Sequence, residues 1–515
     1  MDQSGNIPHR RRGILAWYAA TVFLSSAFVM VLEIVAGRII APFVGVSLYT
    51  WTSVIGVVLA GLSLGNWLGG VWADRRGGPA AAGLALAAAG VSAFVSLPVL
   101  ALLAPAIHGA GLSVLSASFL FVLATFFLPA MLLGIVTPLL TTLALGLDSR
   151  SGHVVGRMHA LGALGSILGT FATGYWLLQY FGSRSIVVAC GVALLVLAAP
   201  FLLGARRLPG LAMLGAAALA WGAGHVRHDY VSPCERESVY FCMRDVDHSM
   251  DVPFGAARGL VLDYLLHGIN HRTRPEILIA PYVHLMDELV LARFGEDAAG
   301  DLRYFFAGGG SYTHPRAVRA TAPRAAVTVA EIDPAVTAFA RSRLYVDTAG
   351  MEIHHADARV VLARAAPRAF DVVITDVFHD ISIPYHLVTR EFAELAAARL
   401  APGGIYAVNI VDAYPDARLT KSVVRTLRSV FRYVDVWLEA LPETEQRMTY
   451  VISASNTWSP PDALVARRGF PRTWTRVTGA LMARGTPAAE LPILTDDYVP
   501  VERLMSGLLL TSAGR

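Results

Sequence analysis

Charge, lysine and cysteine are all scarce in this chain of 515 residues. Only 16% of positions are Asp, Glu, Lys or Arg, against about 25% in an ordinary soluble domain, and 55% are hydrophobic. A disordered, collagen-like or purely soluble protein is excluded. Lys421 is the only lysine among 42 basic residues, so Schiff-base chemistry has one candidate and is set aside. The three cysteines, Cys190, Cys234 and Cys242, are too few for a disulfide scaffold. None sits in a CxxC pair, which argues against cysteine-bound zinc. The 15 histidines form no HExxH or comparable spacing, and no metal is expected.

What charge there is lies at one end. Of the 80 charged residues, 4 fall in residues 1–12, 11 in 13–224 and 65 in 225–515, the pattern of a membrane half followed by a soluble half. Apolar runs long enough to cross about 30 Å of hydrocarbon, roughly 20 helical residues, occur near 14–36, 50–72, 80–105, 113–144, 158–181 and 185–204, with a weaker one at 208–224. His9, Arg10, Arg11 and Arg12 precede the first run with no small-residue cleavage site, so it reads as an uncleaved anchor. A cytoplasmic N-terminus puts Arg10, Arg11, Arg12, Arg75, Arg76, Arg150, Arg157, Arg206 and Arg207 inside, and leaves Arg38 and Arg184 outside, as the positive-inside rule requires. The formal charge of +4 therefore reflects cytoplasmic loops and implies no nucleic acid.

Glu33 and Arg38 fall in or just after the first run, where ionisable groups are costly; an ion pair and a functional site are both open readings. Gly70-x-x-x-Asp74-Arg75-Arg76-Gly77 resembles the cytoplasmic loop signature of major facilitator transporters and supports the same orientation. Gly61, Gly65 and Gly69, and Gly162, Gly165 and Gly169, are spaced for close helix packing.

After residue 225 strand and helix patterns alternate. Short strands around Tyr240 and at Arg258–Asp263 suggest a small β module. Strands at Arg303–Ala307, Ala326–Ala330, Asp371–Thr375 and Gly404–Asn409, with helices near 334–344, 386–400 and 420–430, predict a doubly wound α/β sheet with sites at the carboxyl ends of its strands. The expected domains are a transmembrane bundle over 1–224, a β module over 225–290 and a Rossmann-like, class I methyltransferase-like domain over 291–515.

Each strand end carries what a nucleoside needs. Gly308-Gly309-Gly310 permits a close backbone approach. Glu331, about 20 residues on, is placed to accept from ribose hydroxyls, Asp357 to meet an adenine edge, and Asp376 to close the fourth strand with a carboxylate.

The segments Ala307-Gly-Gly-Gly310, Glu331-Ile-Asp-Pro334, Asp357-Ala-Arg359, Phe370-Asp-Val-Val-Ile-Thr-Asp376 and Leu400-Ala-Pro-Gly-Gly404, with Leu494–Glu502 in the tail, resemble the spermidine synthase (polyamine aminopropyltransferase) family over about residues 235–455. The multi-spanning half is similar to its membrane-attached branch. The resemblance implies transfer of an aminopropyl group from decarboxylated S-adenosylmethionine to an amine such as putrescine, releasing methylthioadenosine. Glu331 would hold the ribose, Asp357 and Ala358 the adenine, and Asp376 would accept the amine proton. No permanently bound cofactor is implied.

The departures concern substrate. Ser311 stands where the family's glycine loop carries an Asp for the donor amine, and His379 replaces a second Asp, with Asp380 next to it. His267 takes the place of the family's Gln, and its acceptor-site His corresponds to His284, near Tyr282. Loss of the Asp at Ser311 motivates a second class, a methyltransferase or lyase using intact S-adenosylmethionine. Asp74 and Glu33 motivate a third, a non-catalytic transporter or sensor of polyamine or nucleoside. His267, His271, His284, His379 and His386 otherwise read as scattered loop histidines. Expected partners are the amine, the sulfonium nucleoside and the lipid bilayer of the cell's inner membrane; a homo-oligomer is left open. Because the nucleoside is cytosolic, residues 225–515 are expected inside, with 208–224 stopping short of a crossing. Cys234 and Cys242 would bridge only if that domain faced the periplasm.

Overall fold

The computed structural model describes residues 9–75, 77–203, 207–250, 252, 255–378 and 383–510. The chain divides into two compact units, the second beginning at Cys234.

The first unit is helical: α1 (His9–Val44), α2 (Leu48–Asp74), α3 (Pro79–Gly109), α4 (Val114–Leu145), α5 (Ser151–Ala172, continued to Tyr180 through a π-helical turn), α6 (Ser183–Leu203) and α7 (Arg207–Val226). Among the described residues, α1 to α6 are each long and apolar enough to cross a membrane, which fits a membrane-spanning region. Hydroxyls are satisfied within their own helices: Thr125 donates to the Phe121 carbonyl at 2.6 Å and Thr173 to that of Gly169 at 2.7 Å, as hydrocarbon surroundings require. The small-residue stripes do bring helices together. A Cβ at Gly65 would overlap the Met131 carbonyl oxygen of α4, and one at Gly165 that of Phe23 in α1. Glu33 and Arg38 both lie in α1, half-buried.

The weak run becomes a 20-residue helix, α7, which is about 30 Å long. Just beyond its end, the carbonyls of Asp229 and Val231 accept from Arg184, in the first turn of α6, at 2.7 Å for Val231. The chain has therefore run back along the whole of α6. Among the described residues α7 is not one of the helices long and apolar enough to cross a membrane, its apolar part covering Ala212–Val226.

The second unit opens with an antiparallel sheet ordered β1 (Arg236–Glu237), β2 (Cys242–Asp247), β3 (Ala257–Leu262) and β4 (Leu265–His271). The strand expected around Tyr240 starts only at Cys242; Tyr240 sits in the turn before it. A disulfide joins Cys234 to Cys242. Next come α8 (Pro281–Phe294), β5 (Arg303–Ala307), α9 (Thr313–Thr321), β6 (Ala326–Ala330), α10 (Pro334–Arg343), β7 (Met351–His354), α11 (Ala358–Arg364), β8 (Phe370–Thr375), α12 (Arg390–Arg399), β9 (Leu400–Tyr414), α13 (Arg418–Arg428), β10 (Tyr433–Leu438), β11 (Gln446–Ser455), β12 (Ala463–Val465) and β13 (Thr473–Arg476). The helix expected from 386 starts at Arg390, because Thr389 caps it and a 3-10 turn occupies Tyr385–Leu387.

One nine-stranded sheet results, ordered β12-β13-β10-β11-β9-β8-β5-β6-β7 and parallel from β9 to β7. Its inner strands are covered on both faces, so Tyr304, Phe305 and Phe306 are all buried, which is why they read as unbroken apolar runs. Met243, Leu260 and Leu262 of the small sheet, with Phe241 just before β2, share a core with α8 and β5. β5 pairs with β6 on one side and β8 on the other. That reversal of strand order opens a crevice at their carboxyl ends.

Candidate active site

The glycine run follows β5 directly. Gly308 has φ +89°, and a Cβ there would overlap the backbone oxygen of Asp376, so only glycine lets the loop lie against the end of β8. The loop is tied to the next strand by Glu331. Its Oε2 accepts from the Gly309 and Gly310 amides at 2.9 and 3.1 Å, and its Oε1 from the Asp333 amide at 3.0 Å. Burial raises the Glu331 carboxyl above its usual range, and those three amides oppose the rise.

Asp357 caps α11, accepting from the Arg359 and Val360 amides at 2.9 and 3.3 Å. Its other oxygen meets His386 Nε2 at 2.7 Å. His386 was read only as one scattered histidine; here it ties the loop after β8 to the start of α11. Asp376 follows β8. Tyr282, in the first turn of α8, donates to its Oδ2 at 3.3 Å, and the Asn409 side chain of β9 also donates to it. Burial dominates and pushes the Asp376 carboxyl up to about 6, against the pull of Tyr282, Asn409 and His314. A carboxylate near 6 ionises at neutral pH yet remains basic enough to take a proton.

These groups enclose a cavity of about 240 Å³, whose walls include His267, Gly308, Gly310, Glu331, Asp357, Ala358 and Asp376 among the expected residues. Tyr240, Phe241 and His386 line it too, and none of these three was expected there. A small recess of about 20 Å³ shares His267, Gly308 and Asp376 and adds Gly309, Ser311 and His314. Beyond Tyr282 lies a third cavity of about 380 Å³, walled by Trp437, Met448 and Trp474 with Glu439. His284 lines none of these three. It is buried, its Nε2 lies 2.9 Å from the Arg468 carbonyl oxygen and its ring packs on the edge of Trp474, so the acceptor-site expectation is corrected. His379 and Asp380 lie outside the described residues. Asn409 carried no motif signal; Phe241 carried only the general one of an aromatic beside a turn.

A doubly wound sheet with a glycine loop, Glu331 and Asp376 around one crevice defines a nucleoside-site architecture of the Rossmann-like class. Residues 307–462, a stretch within the second unit, match the spermine/spermidine synthase domain. The chain is 27% identical over 213 residues to a probable polyamine aminopropyl transferase of Bifidobacterium longum, covering 38% of this chain and 47% of that protein. It is 32% identical over 127 residues to a polyamine aminopropyltransferase of Vibrio vulnificus, covering 24% and 41%. The chain thus spans less than half the length of these relatives. Among solved structures, a probable spermidine synthase from Corynebacterium glutamicum aligns at 21% identity with a TM-score of 0.42, over 51% of this chain and 94% of that one.

Proposed function

We propose that the second unit is an aminopropyltransferase of spermidine synthase type, held by a membrane-spanning bundle. The observation that carries this reading is Asp376, pushed up to about 6, standing in the wall of the same cavity as Glu331 and the glycine loop. Glu331 has both oxygens fixed by backbone amides and accepts from the ribose. Asp357 and Ala358 lie on the adenine side, and His386 holds the Asp357 carboxylate there.

The attacking amine must be neutral. Asp376 takes its proton, the nitrogen forms a bond to the methylene carbon beside the sulfonium, and the carbon–sulfur bond breaks with its electron pair leaving on methylthioadenosine. Holding nitrogen and carbon about 3 to 3.5 Å apart and in line supplies much of the acceleration, and proton transfer about 10²–10⁴-fold more. The aromatic cavity beyond Tyr282 suits the methylenes of the amine, with Glu439 for a distal ammonium. The test is release of methylthioadenosine by the purified full-length protein, given the decarboxylated nucleoside and a panel of diamines. No nucleoside product with any sulfonium donor refutes the reading.

For placement, we infer a cytoplasmic N-terminus from the arginine distribution. The return of α7 to the level of Arg184 and the Cys234–Cys242 bond favour the opposite, oxidising face for the second unit, against the inward placement expected from nucleoside supply.

A further inference from the structure

The donor's tail has to lie beside Asp376, and apart from that carboxylate the described wall of the recess carries hydroxyls, imidazoles, backbone and apolar groups. Ser311 is 3% exposed; its hydroxyl is 2.7 Å from that of Thr313, which donates to Asn270 Oδ1 at 2.8 Å. Asn270 in turn donates to the Ser311 carbonyl at 2.7 Å. A Cβ at Gly268 would overlap Ser311 Oγ, so β4 presses this chain of hydroxyls and amide against the glycine loop.

The other polar groups lean toward binding an anion. His267 and His314 line the recess. His314 is 6% exposed and its Nδ1 has no hydrogen-bond partner among the described residues. Its Nε2 lies 3.4 Å from Asp287, whose charge is already matched by Arg468 at 2.6 Å. The nine-residue α9 begins at Thr313, and a helix N-terminus carries partial positive charge and unused amides. Among the described residues Asp376 is the one acid on the wall, and the proposed function uses it as proton acceptor. A lone ammonium tail would enter this recess without a counter-charge, which is costly. An amino-acid tail brings its own carboxylate, for which hydroxyls, imidazoles and helix amides are donors, while its ammonium can use backbone carbonyl and hydroxyl oxygens of the recess.

We propose that the donor keeps its α-carboxylate, so that intact S-adenosylmethionine is used and a 3-amino-3-carboxypropyl group is transferred, with Ser311 setting that choice. This rests on the sulfonium-to-amine reading above. The balance is unchanged: nitrogen bonds to the methylene carbon, the carbon–sulfur bond breaks, methylthioadenosine leaves with the electron pair, and the amine proton goes to Asp376.

The experiment compares S-adenosylmethionine with its decarboxylated form on the full-length protein, with diamines as acceptors and mass spectrometry reading both nucleosides and the alkylated amine. The expected result is methylthioadenosine from the intact donor, with kcat/KM on the order of tenfold or more above the decarboxylated one, as a matched against an unmatched charge implies. Ser311→Asp is expected to reverse that order. Should this variant fail to fold, calorimetry on the wild type, with tail-less methylthioadenosine as reference, still ranks the two tails. Preference for the decarboxylated donor, or S-adenosylhomocysteine as the product, overturns the inference. Methylthioadenosine from the decarboxylated donor alone does so while leaving the proposed function standing, whereas absence of any nucleoside product sinks both.

Discussion

Replacing Asp376 with Asn removes the proposed proton acceptor while keeping its volume, and the structure sets the size and shape of the expected effect. Loss of a positioned base costs about 10²–10⁴-fold in rate, which is roughly 2.7–5.5 kcal/mol of transition-state stabilisation. The wild-type carboxyl is pushed up from 3.8 to about 6. The base must be ionised, so kcat/KM for the amine should fall tenfold per pH unit below about pH 6. Tyr282→Phe deletes the 3.3 Å hydrogen bond that steadies the charged form. A bond of that length is at the weak end for a charged acceptor, about 1.4 kcal/mol, or one pH unit. The acid limb should therefore move to higher pH by up to about one unit in that variant and vanish in Asp376→Asn. Methylthioadenosine release followed from acid to alkaline pH reads both. An unmoved limb in Tyr282→Phe, or an Asn variant with near-normal rate, refutes the assignment of the base.

Glu331→Gln loses charge where three amides converge; methylthioadenosine binding by calorimetry should weaken by about 1.5–3 kcal/mol. Glu439→Gln, in the wall of the aromatic cavity, should raise KM for long polyamines while leaving kcat near wild type. Asp412 is 1% exposed and burial pushes its carboxyl up from 3.8 to about 7. A folded pKa above the unfolded one gives stability present below about pH 4 and lost as pH rises through 7. Thermal unfolding of Asp412→Asn across that window should show a shallower loss than wild type; a parallel loss refutes the titration.

Much of the second unit was legible because burial on both faces writes itself as unbroken apolar runs. Tyr304-Phe305-Phe306 and Val372-Val373-Ile374 are buried on both sides of the sheet, and the acids that close those strands stand out against them. What was not legible depends on partners distant in the chain. Asp357 is at once a helix cap and the partner of His386, 29 residues on, and no local pattern links the two. Tyr240 looked like a strand residue because its neighbours are β-formers, yet it lies in a turn and serves the cavity wall. His284 stood beside Tyr282 in sequence, but consecutive helical positions point about 100° apart. Two residues along, it faces Trp474 instead of Asp376.

The same distinction between local pattern and distant partner governs the membrane half. Hydropathy alone left 208–224 ambiguous; Arg184 settles where α7 returns, because its guanidinium binds carbonyls that follow that helix and not those that precede it. A seventh crossing by α7, which is the placement we infer from that return, would put the second unit across the membrane from Arg10, Arg11 and Arg12. Alkaline phosphatase fused after Arg515 should then be active in cells, and a green fluorescent protein fusion at the same position should be dark. A membrane-impermeant maleimide should label Cys234 and Cys242 only after reduction, since the pair is bonded, with the Cys234→Ser, Cys242→Ser variant as blank. Thiols that stay unlabelled even after reduction, or a fluorescent carboxyl-terminal fusion, would refute the parity argument and return the site to the cytosolic nucleoside pool. The outward result instead makes nucleoside delivery across the bilayer a requirement of the reaction, because a sulfonium with an ionised tail does not cross hydrocarbon unaided.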